Sequence, residues 1–329
     1  MKQIAFITLI LFGCWAQAVP MASPSDTETD SESACRHKTS VLVDKINQFY
    51  LENGFKSSLI QVSKWKLELT DAPHDYHQGA IRLNGYKDPN PSQVATFNFL
   101  QTSFKFIQFF NDNYHANAPF YDAPERIPKW PKEKAEQLAS EFAKIFLQDW
   151  NLADFKFEKV VWESNSGGGG PIGKPMKYSE GYWIAILRRT TPSGVPFDDD
   201  SIMVDISETY GPYILSLFYL THYEEKPYQK IGEDKGLQLA NEKLPEILKL
   251  QGLVSDTKTI SVLEKPRIRE VIVRPNYWPK TSKRPVTLEE RSEGRPAYIV
   301  TYHVLTAVGN KPVVVYIDSE TGDFLGGNY

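Results

Sequence analysis

Apolar residues recur every three or four positions in two segments of the chain, and strand-like runs follow each segment. The first segment carries this stripe: Ala135, Leu138, Ala139, Phe142, Ala143, Phe146, Leu147 and Trp150. The second carries a similar one: Leu237, Ala240, Leu244, Ile247 and Leu248. A period near 3.6 residues predicts two amphipathic helices. Pro131 fits the first turn of the first helix, whereas Pro245 predicts a kink or a restart inside the second.

Runs rich in β-branched and aromatic residues follow both predicted helices. After the first come FKFEKVVWES, GYWIAILRRT and SIMVDIS; after the second come TISVLEK, IREVIVRP, AYIVTYHVLT and PVVVYIDS. Clusters of Gly and Pro, such as SGGGGPIGKP and TPSGVP, separate these runs as hairpin connections do. Both segments are therefore predicted to fold as a helix followed by an antiparallel meander.

Two short matches indicate that this block is duplicated. KAEQLASEF (Lys134 to Phe142) matches KGLQLANEK (Lys235 to Lys243), and Ser-Glu-Thr occurs at 207–209 and again at 319–321. The matches keep the same order along the chain, as internal repeats do. A third, more divergent copy is predicted before them, because 39–55 has a helical stripe and strand-like runs follow it. This copy depends on the order of its elements alone, and a helix followed by strands is common.

The repeats predict module boundaries at 36–115, 131–222 and 232–329, with Pro-containing linkers between them. A chain of 329 residues exceeds the usual size of one compact domain, so we expect each module to bury its own apolar face. The predicted fold class is α+β, with two or three tandem modules that each pack a helix on an antiparallel sheet.

The closing hairpin of the last copy, VVVYIDSETGDFLGG (Val313 to Gly327), together with the helix and strands before it, resembles the PepSY domain. PepSY domains occur in the propeptides of thermolysin-like metalloproteases and in many exported bacterial proteins. The resemblance implies a cystatin-like α+β module, an export context, and a role in binding or restraining peptidases or other partners. It implies no catalytic residues and no cofactor. The middle copy departs from the pattern, because ETYGPYIL replaces the compact Thr-Gly turn.

Residues 1–18 have the pattern of a signal peptide: Lys2, the apolar run IAFITLILFGCW, and then Ala-Gln-Ala. Cleavage after Ala18 predicts an exported protein, either secreted or periplasmic. The stretch LFGC, ending at Cys14, also resembles a bacterial lipobox. The alternative is therefore acylation of Cys14 and a lipoprotein anchored at the cell envelope.

Residues 19–35 are rich in Ser, Thr and acidic residues and are predicted to be a disordered linker. Cys35 lies at the end of this linker and has no intrachain partner once Cys14 is removed or acylated. We therefore expect a fold without disulfides and an inert thiol at Cys35, with pairing between molecules as the alternative.

Charge and motifs exclude several functional classes. The net charge of -4 provides no basic surface for a phosphate backbone, so nucleic acid is not an expected partner. The sequence has no Gly-x-Ser-x-Gly elbow, no His-Glu-x-x-His zinc motif and no phosphate-binding Gly-rich loop. We therefore predict no catalytic residue and no cofactor-binding residue, which favours a protein that is not an enzyme.

One polar cluster could bind a metal ion. His74, Asp75 and His77 follow Asp71 in the stretch DAPHDYHQ, and imidazole with carboxylate suits zinc and similar ions. No second ligand pair stands at a recognisable spacing. An exposed loop is the competing interpretation, and no metal is part of the main prediction.

Four further features receive structural interpretations. Asp198 to Ser201 (DDDS) is predicted to be a solvated turn, and Gly167 to Gly170 a flexible hairpin tip or a mobile lid. His222 and His303 are predicted to be hydrogen-bonded structural residues rather than bases. The stretch FKFIQFF, ending at Phe110, has too many rings for one buried face, so its outer face is predicted to be a partner surface.

These observations predict an exported, non-enzymatic binding or modulating protein built from PepSY-like repeats. Its partner would be a protein or a peptide, and extracellular peptidases are the partners that the resemblance implies. Contact with a membrane is expected only if Cys14 is acylated. The alternatives are an extracytoplasmic hydrolase with a site assembled between modules, and a lipid-anchored envelope scaffold.

Overall fold

A computed structural model describes fourteen stretches of the chain: residues 27–71, 79–87, 92–100, 105–117, 120–121, 127–147, 154–164, 168–169, 177–218, 221–250, 252–253, 260–274, 293–306 and 309–328. These residues form a mixed α+β fold. Its helices are α1 (Thr27–Glu52), α2 (Asp112–Asn117), α3 (Lys132–Phe146) and α4 (Glu233–Leu250).

Eight strands form one antiparallel sheet in the order β1-β2-β3-β4-β11-β10-β9-β6. Their bounds are β1 (Lys64–Asp71), β2 (Gly79–Lys87), β3 (Ser92–Leu100), β4 (Phe106–Phe110), β6 (Phe155–Glu163), β9 (Tyr182–Thr190), β10 (Pro196–Ser207) and β11 (Gly211–Phe218). A separate small sheet has the order β5-β8-β7 and consists of β5 (Phe120–Tyr121), β7 (Gly168–Gly169) and β8 (Lys177–Ser179).

The C-terminal strands extend the large sheet. They are β12 (Ser261–Val262), β13 (Arg267–Val273), β14 (Arg295–Thr306), β15 (Gly309–Asp318) and β16 (Phe324–Asn328). Their order is β13-β14-β15-β16, and β12 also pairs with β14. One parallel pair, Phe197 of β10 with Ile272 of β13, joins them to the eight-stranded part. Because this junction is so short, side chains must supply most of the contact between the two parts.

The order of one long helix followed by a four-stranded antiparallel meander occurs three times. It comprises α1 with β1 to β4, α3 with β6, β9, β10 and β11, and α4 with β13 to β16. In each meander the register between the last two strands shifts by one residue, at Asn98/Phe99, at Asp205/Ile206 and at Tyr316/Ile317. A bulge at the same place in three hairpins is a specific shared feature, because bulges are local departures from regular pairing.

The closing turns of the second and third meanders begin at Ser207 and Asp318. Ser207 Oγ accepts hydrogen bonds from the backbone N–H groups of Thr209 and Tyr210. Asp318 Oδ1 accepts from those of Glu320 and Thr321, again two and three residues later. Ser207 is therefore the structural counterpart of Asp318, and not of Ser319 as the Ser-Glu-Thr match implies. The Ser-Glu-Thr match therefore aligns Ser207 one residue away from its structural counterpart.

The first two meanders share one hydrophobic core. Helices α1 and α3 lie together on one face of the eight-stranded sheet, where the Phe49 and Phe142 rings are 5.2 Å apart. Phe109 of β4 contacts the same ring of α3, with centroids 5.9 Å apart. The expectation that each of these modules buries its own apolar face is therefore wrong. The pairing of β4 with β11 closes both meanders over a common interior.

The third meander has a core of its own, formed by α4 on β14 and β15. Its buried residues include Leu244, Ile247, Val300, Val313 and Val315. Helix α4 continues through Pro245 to Leu250 and does not restart there.

The end of the predicted linker is helical. Helix α1 begins at Thr27, so the prediction that 27–35 is disordered is wrong. Cys35 is fully buried in the shared core of the first two meanders, where it packs as a small apolar residue. The signal peptide and Cys14 lie outside the described residues. Among the described helices, none is long and apolar enough to cross a membrane.

Candidate functional site

The outer face of the second meander combines apolar and acidic residues. Along β10, Val204 and Ile206 point into the shared core, so Asp205 between them faces the opposite side. Its direct cross-strand neighbours are Ile184 of β9 and Ile214 of β11. We define the outer patch by residues of this face: Ile184, Ile186, Met203, Asp205 and Ile214. Its four apolar members are half-buried, which leaves them partly accessible to a partner.

Asp205 at the centre of the outer patch is buried without a full set of hydrogen bonds. Its side chain is only 8% exposed, and its Oδ1 accepts no hydrogen bond within the described part of the chain. Burial raises the pKa of this carboxyl to about 7, and no nearby cation lowers it. A buried carboxyl oxygen without a donor is costly, so this position is unfavourable for the folded protein by itself.

Tyrosine rings lie beside Asp205. Tyr114 of α2 stacks on Tyr213 of β11 with centroids 3.9 Å apart, and Tyr182 of β9 meets Tyr213 edge-on at 6.2 Å. Burial raises the pKa of the Tyr213 hydroxyl, and the Asp205 charge raises it further. Burial and, after it, the Asp205 charge also raise the pKa of Tyr182, which is half-buried. Three aromatic residues therefore line one side of the carboxyl group.

A second carboxyl group lies near these rings. Glu180 is 1% exposed and accepts a short hydrogen bond from Ser207 Oγ. Burial raises the pKa of Tyr114, and the Glu180 charge is the next largest cause. The tyrosine cluster therefore lies between two acidic groups, Asp205 and Glu180, and both disfavour its ionisation.

A row of polar side chains crosses the same face and ends at the outer patch. Arg82 Nε donates to Asn98 Oδ1 at 3.1 Å, and Asn98 Nδ2 donates to Gln108 Oε1 at 3.0 Å. Gln108 Nε2 then donates to Ser216 Oγ at 3.0 Å. Ser216 lies opposite Met203 of the outer patch. This ladder joins β2, β3, β4 and β11, so the outer patch is held on a rigid support.

The acidic run Asp198 to Asp200 lies inside β10 and not in a solvated turn, so that prediction is wrong. Asp198 forms an ion pair with Arg269 at 3.0 Å and accepts a hydrogen bond from Tyr316, both in the third meander. Asp200 is 1% exposed and forms an ion pair with Arg189 at 3.0 Å. Asp199 lies 3.6 Å from Arg274, which follows β13. Asp198 and Asp199 therefore fasten the third meander to the second, whereas the Asp200 pair lies within the second meander.

A cleft of about 470 Å³ opens beside this junction. It lies between the β9–β10 turn at Ser193, the linker residues Tyr223 and Tyr228, and Ile272 of β13. The Tyr228 hydroxyl donates to Glu270, which also pairs with Lys230. Asp205, Glu180, Asp198 and Asp200 are absent from the lining of this cleft, so it does not unite the carboxyl groups that a hydrolase of the predicted kind requires.

Two sets of predicted candidates lie outside the described residues. His74, Asp75 and His77, the candidate metal ligands, are in one undescribed stretch, and Cys14 is in another. Within the described ranges, no group of three or more His, Cys, Asp or Glu residues could hold a metal ion.

The predicted partner surface on FKFIQFF is wrong for its described residues. Phe106 and Phe109 are core residues, and Ile107 packs with Ala80 and Leu100. Among the described rings of this stretch, only Phe110 is half-buried. The rings fill the large interior that α1 and α3 share, which is why one stretch can contain so many of them.

The histidine and glycine predictions have different outcomes. His303 Nε2 lies 3.3 Å from Glu264 Oε1, and the His222 backbone forms an isolated bridge with Glu293. The first contact involves the imidazole and the second only the backbone, so the structural roles of both histidines stay predictions. Gly168 and Gly169 pair with Tyr178 and Lys177 as a two-residue strand, so this part of the glycine run is not a free hairpin tip.

Comparison with known proteins gives little information on the function of this chain. No protein-family model and no curated protein matches the chain. Among solved structures, the C-terminal domain of YpeB from Bacillus megaterium is similar at 13% sequence identity and a TM-score of 0.38, over 81% of this chain and 89% of that chain. A similarity of this size gives no information on what the chain binds.

Sequence reasoning missed Asp205. One signal was present, because SIMVDIS places a single acidic residue inside an otherwise apolar strand. Alternation assigns that residue to the face opposite the core, where a carboxylate is ordinary. Its lack of a partner depends on what the rest of the fold places around it.

Proposed function

We propose that this is an exported, non-enzymatic binding protein built from PepSY-like repeats, and that it binds a protein or peptide segment on the outer patch. The threefold order of helix and meander, with a bulge at the same place each time, supports the repeats. Export follows from the signal-peptide pattern of residues 1–18.

The observation that carries the binding role is the composition of the outer patch. Half-buried Ile184, Met203 and Ile214 surround a carboxyl group that has an unused acceptor. An apolar surface around a few oriented polar groups is typical of a binding site. The hydrogen-bonded ladder and the shared core beneath it hold these strands in place, so little order needs to form on binding.

A non-enzymatic role fits the carboxyl groups better than hydrolysis. The Ser207 hydroxyl is fully buried and already donates to Glu180, so it is not available as a nucleophile. The junction cleft contains none of the buried acids discussed above. The junction cleft therefore gives no support to the hydrolase alternative.

A panel of peptides selected on the purified chain from a random display library tests the binding role. We expect the selected peptides to lose at least tenfold in affinity for Met203→Glu, which places a charge in the outer patch. Leu305→Glu is the matched control, because Leu305 is already 52% exposed on the third meander. Selected peptides that bind Met203→Glu as well as the original chain would place the binding surface elsewhere. Turnover of any hydrolase substrate that Asp205→Asn abolishes would overturn the non-enzymatic role.

Restraint of extracellular peptidases is the more specific form of this proposal, and the resemblance to PepSY domains motivates it. Stoichiometric inhibition of one enzyme in a panel of extracellular peptidases, relieved by Met203→Glu, would support it. If no peptidase is bound or slowed, general binding is the form that remains. Mass spectrometry of the mature N-terminus distinguishes a free protein from a scaffold acylated at Cys14.

A further inference from the structure

We propose that the outer patch binds a primary ammonium group at Asp205, and that a lysine side chain of the bound segment supplies it. The inference rests on the proposed binding function and specifies the chemistry of the partner. It starts from one atom, Asp205 Oδ1, which is buried and accepts no hydrogen bond among the described residues.

The surroundings of Asp205 favour a cation with an apolar stem. Ile184 and Ile214 flank the carboxyl group on the two neighbouring strands, where the methylene groups of a lysine can pack. The rings of Tyr182 and Tyr213 lie near the charge, and aromatic rings attract organic cations. Apolar neighbours, aromatic rings and a carboxyl group together match the parts of a lysine side chain.

The burial of the carboxyl group favours an ammonium over a guanidinium. Arginine recognition uses two parallel hydrogen bonds to both oxygens of a carboxylate. Asp205 is only 8% exposed and its Oδ1 is buried, so the approach to the carboxyl group is narrow for a planar guanidinium. An ammonium is a compact point charge, which suits such an approach.

A metal ion suits the site poorly. Calcium requires six to eight oxygen ligands and magnesium near-ideal octahedral geometry. Among the described residues, Asp205 belongs to no group of three or more His, Cys, Asp or Glu residues that could hold a metal ion. Tyrosine rings would exclude the additional waters that such an ion retains.

Binding of an ammonium should be accompanied by release of a proton. With its pKa raised to about 7, the Asp205 carboxyl is partly protonated at neutral pH. A cation beside it favours the carboxylate and expels that proton. Among the described residues, the Asp205 charge acts on Tyr114, Tyr182 and Tyr213, and these tyrosines stay neutral in this pH range. Two further carboxyl groups act on the same rings, Glu180 on Tyr114 and Glu163 on Tyr182. A purely structural Asp205 would give no such release.

The experiment is calorimetric titration of the full chain with three peptides: acetyl-Leu-Lys-Leu-amide and its norleucine and arginine counterparts. Norleucine keeps the whole carbon stem of lysine and removes only the charged ammonium group. Each titration is made at pH 7 in two buffers with different ionisation heats, which measures the proton released. The variants are Asp205→Asn and, as the matched control on the same strand, Asp199→Asn.

We expect the lysine peptide to bind at least tenfold more tightly than the norleucine peptide, both to the original chain and to Asp199→Asn. The arginine peptide should bind less tightly than the lysine peptide. Asp205→Asn should abolish both the lysine preference and the proton release. If Asp205→Asn does not fold, the proton released when the original chain binds the lysine peptide still tests the inference.

Equal binding of the lysine and norleucine peptides, a preference for arginine, or a lysine preference that persists in Asp205→Asn would each overturn the inference. If both peptides bind equally and Met203→Glu weakens both, the proposed function survives and only the lysine specificity fails. If none of the peptides binds and the display library also yields no binder, the proposed function fails together with the inference.

Discussion

Phe109 of β4 lies directly opposite Leu215 of β11, and the two residues occupy equivalent places in their own meanders. Each is the second residue after the bulged position, which is Ile107 in one strand and Tyr213 in the other. The neighbouring pairs, Ser216 with Gln108 and Ile214 with Phe110, follow the same symmetry. A local twofold axis therefore passes between Phe109 and Leu215, and the first two meanders associate as a symmetric dimer does.

Because this axis runs through a shared core, truncating Phe109 should weaken both meanders together. Phe109 is fully buried against Phe97, Phe142 and Phe146, so Phe109→Ala should cost about 3–5 kcal/mol of unfolding free energy. Hydrogen exchange should accelerate across 36–218 in one cooperative step.

Val313→Ala is the control for Phe109→Ala, because Val313 is equally buried but belongs to the core of the third meander. It should accelerate exchange around β14 and β15 and leave β1 to β4 protected. If Phe109→Ala weakens β1 to β4 and leaves β9 to β11 unchanged, the first two meanders are not one cooperative unit.

The Tyr50 hydroxyl donates to the carbonyl of Pro212 at 2.6 Å and accepts from Asn111 Nδ2 at 3.1 Å. Tyr50→Phe removes both of these buried hydrogen bonds and should cost about 1–3 kcal/mol in denaturant unfolding. Tyr86→Phe is the control, since that ring is half-buried and its hydroxyl has no hydrogen bond among the described residues. Equal stability of both variants would show that the Tyr50 contact does not stabilise the fold.

Asp205 predicts a pH dependence of stability. Its pKa rises from 3.8 in the unfolded chain to about 7 in the fold, because burial disfavours the charge. Between pH 4 and 7 the native state binds a proton that the unfolded state has lost, so stability should fall as pH rises. At about 1.4 kcal/mol for each pKa unit, the full loss is on the order of 4 kcal/mol.

Burial also raises the pKa values of Asp198 and Asp200, which add to this slope. Asp205→Asn should therefore reduce the slope and make the chain more stable than the original above pH 7, as measured by denaturant unfolding at several pH values. Asp199→Asn should keep the slope. An unchanged slope in Asp205→Asn would show that another group is responsible. A gain in stability from removing Asp205 would also fit a residue that serves binding at the expense of folding.

The stability of the second meander should depend on Asp200. Its ion pair with Arg189 is buried, and its Oδ1 also accepts from Thr221 at 2.6 Å. Asp200→Asn leaves an uncompensated buried guanidinium and should cost about 3 kcal/mol. Asp199→Asn alters a longer, more exposed pair with Arg274 and should cost less than about 1 kcal/mol. Thermal unfolding compares the stabilities of the two variants. Equal losses of stability would show that the buried Asp200 pair contributes no more than the Asp199 pair.

Cys35 should resist thiol reagents in the native protein. Burial raises its pKa to about 11, so little thiolate forms at pH 8, and its side chain is fully buried. In a chain that begins at Val19, where Cys35 is the one thiol, Ellman's reagent should react at least a hundredfold more slowly before unfolding than after. Similar rates before and after unfolding would show that α1 detaches readily at this end.

The sequence by itself determined the kind of elements and their order. The stripe from Ala135 to Trp150 and the alternation in SIMVDIS are local patterns, because a helix or strand repeats its exposure every few residues. Local patterns were also enough to place α3, α4 and the strands that follow them. They were not enough to identify the start of α1, where the polar residues after Thr27 are helical without forming an apolar stripe.

Only the tertiary structure decided which residues contact one another. The pairing of Phe109 with Leu215 and the ion pair of Asp198 with Arg269 join residues far apart in the chain. The unsatisfied oxygen of Asp205 depends on all the elements that surround it. Burial of a charge depends on every element packed around it, and a short stretch of sequence contains none of that information. For that reason the helices and strands follow from the sequence alone, and the candidate site does not.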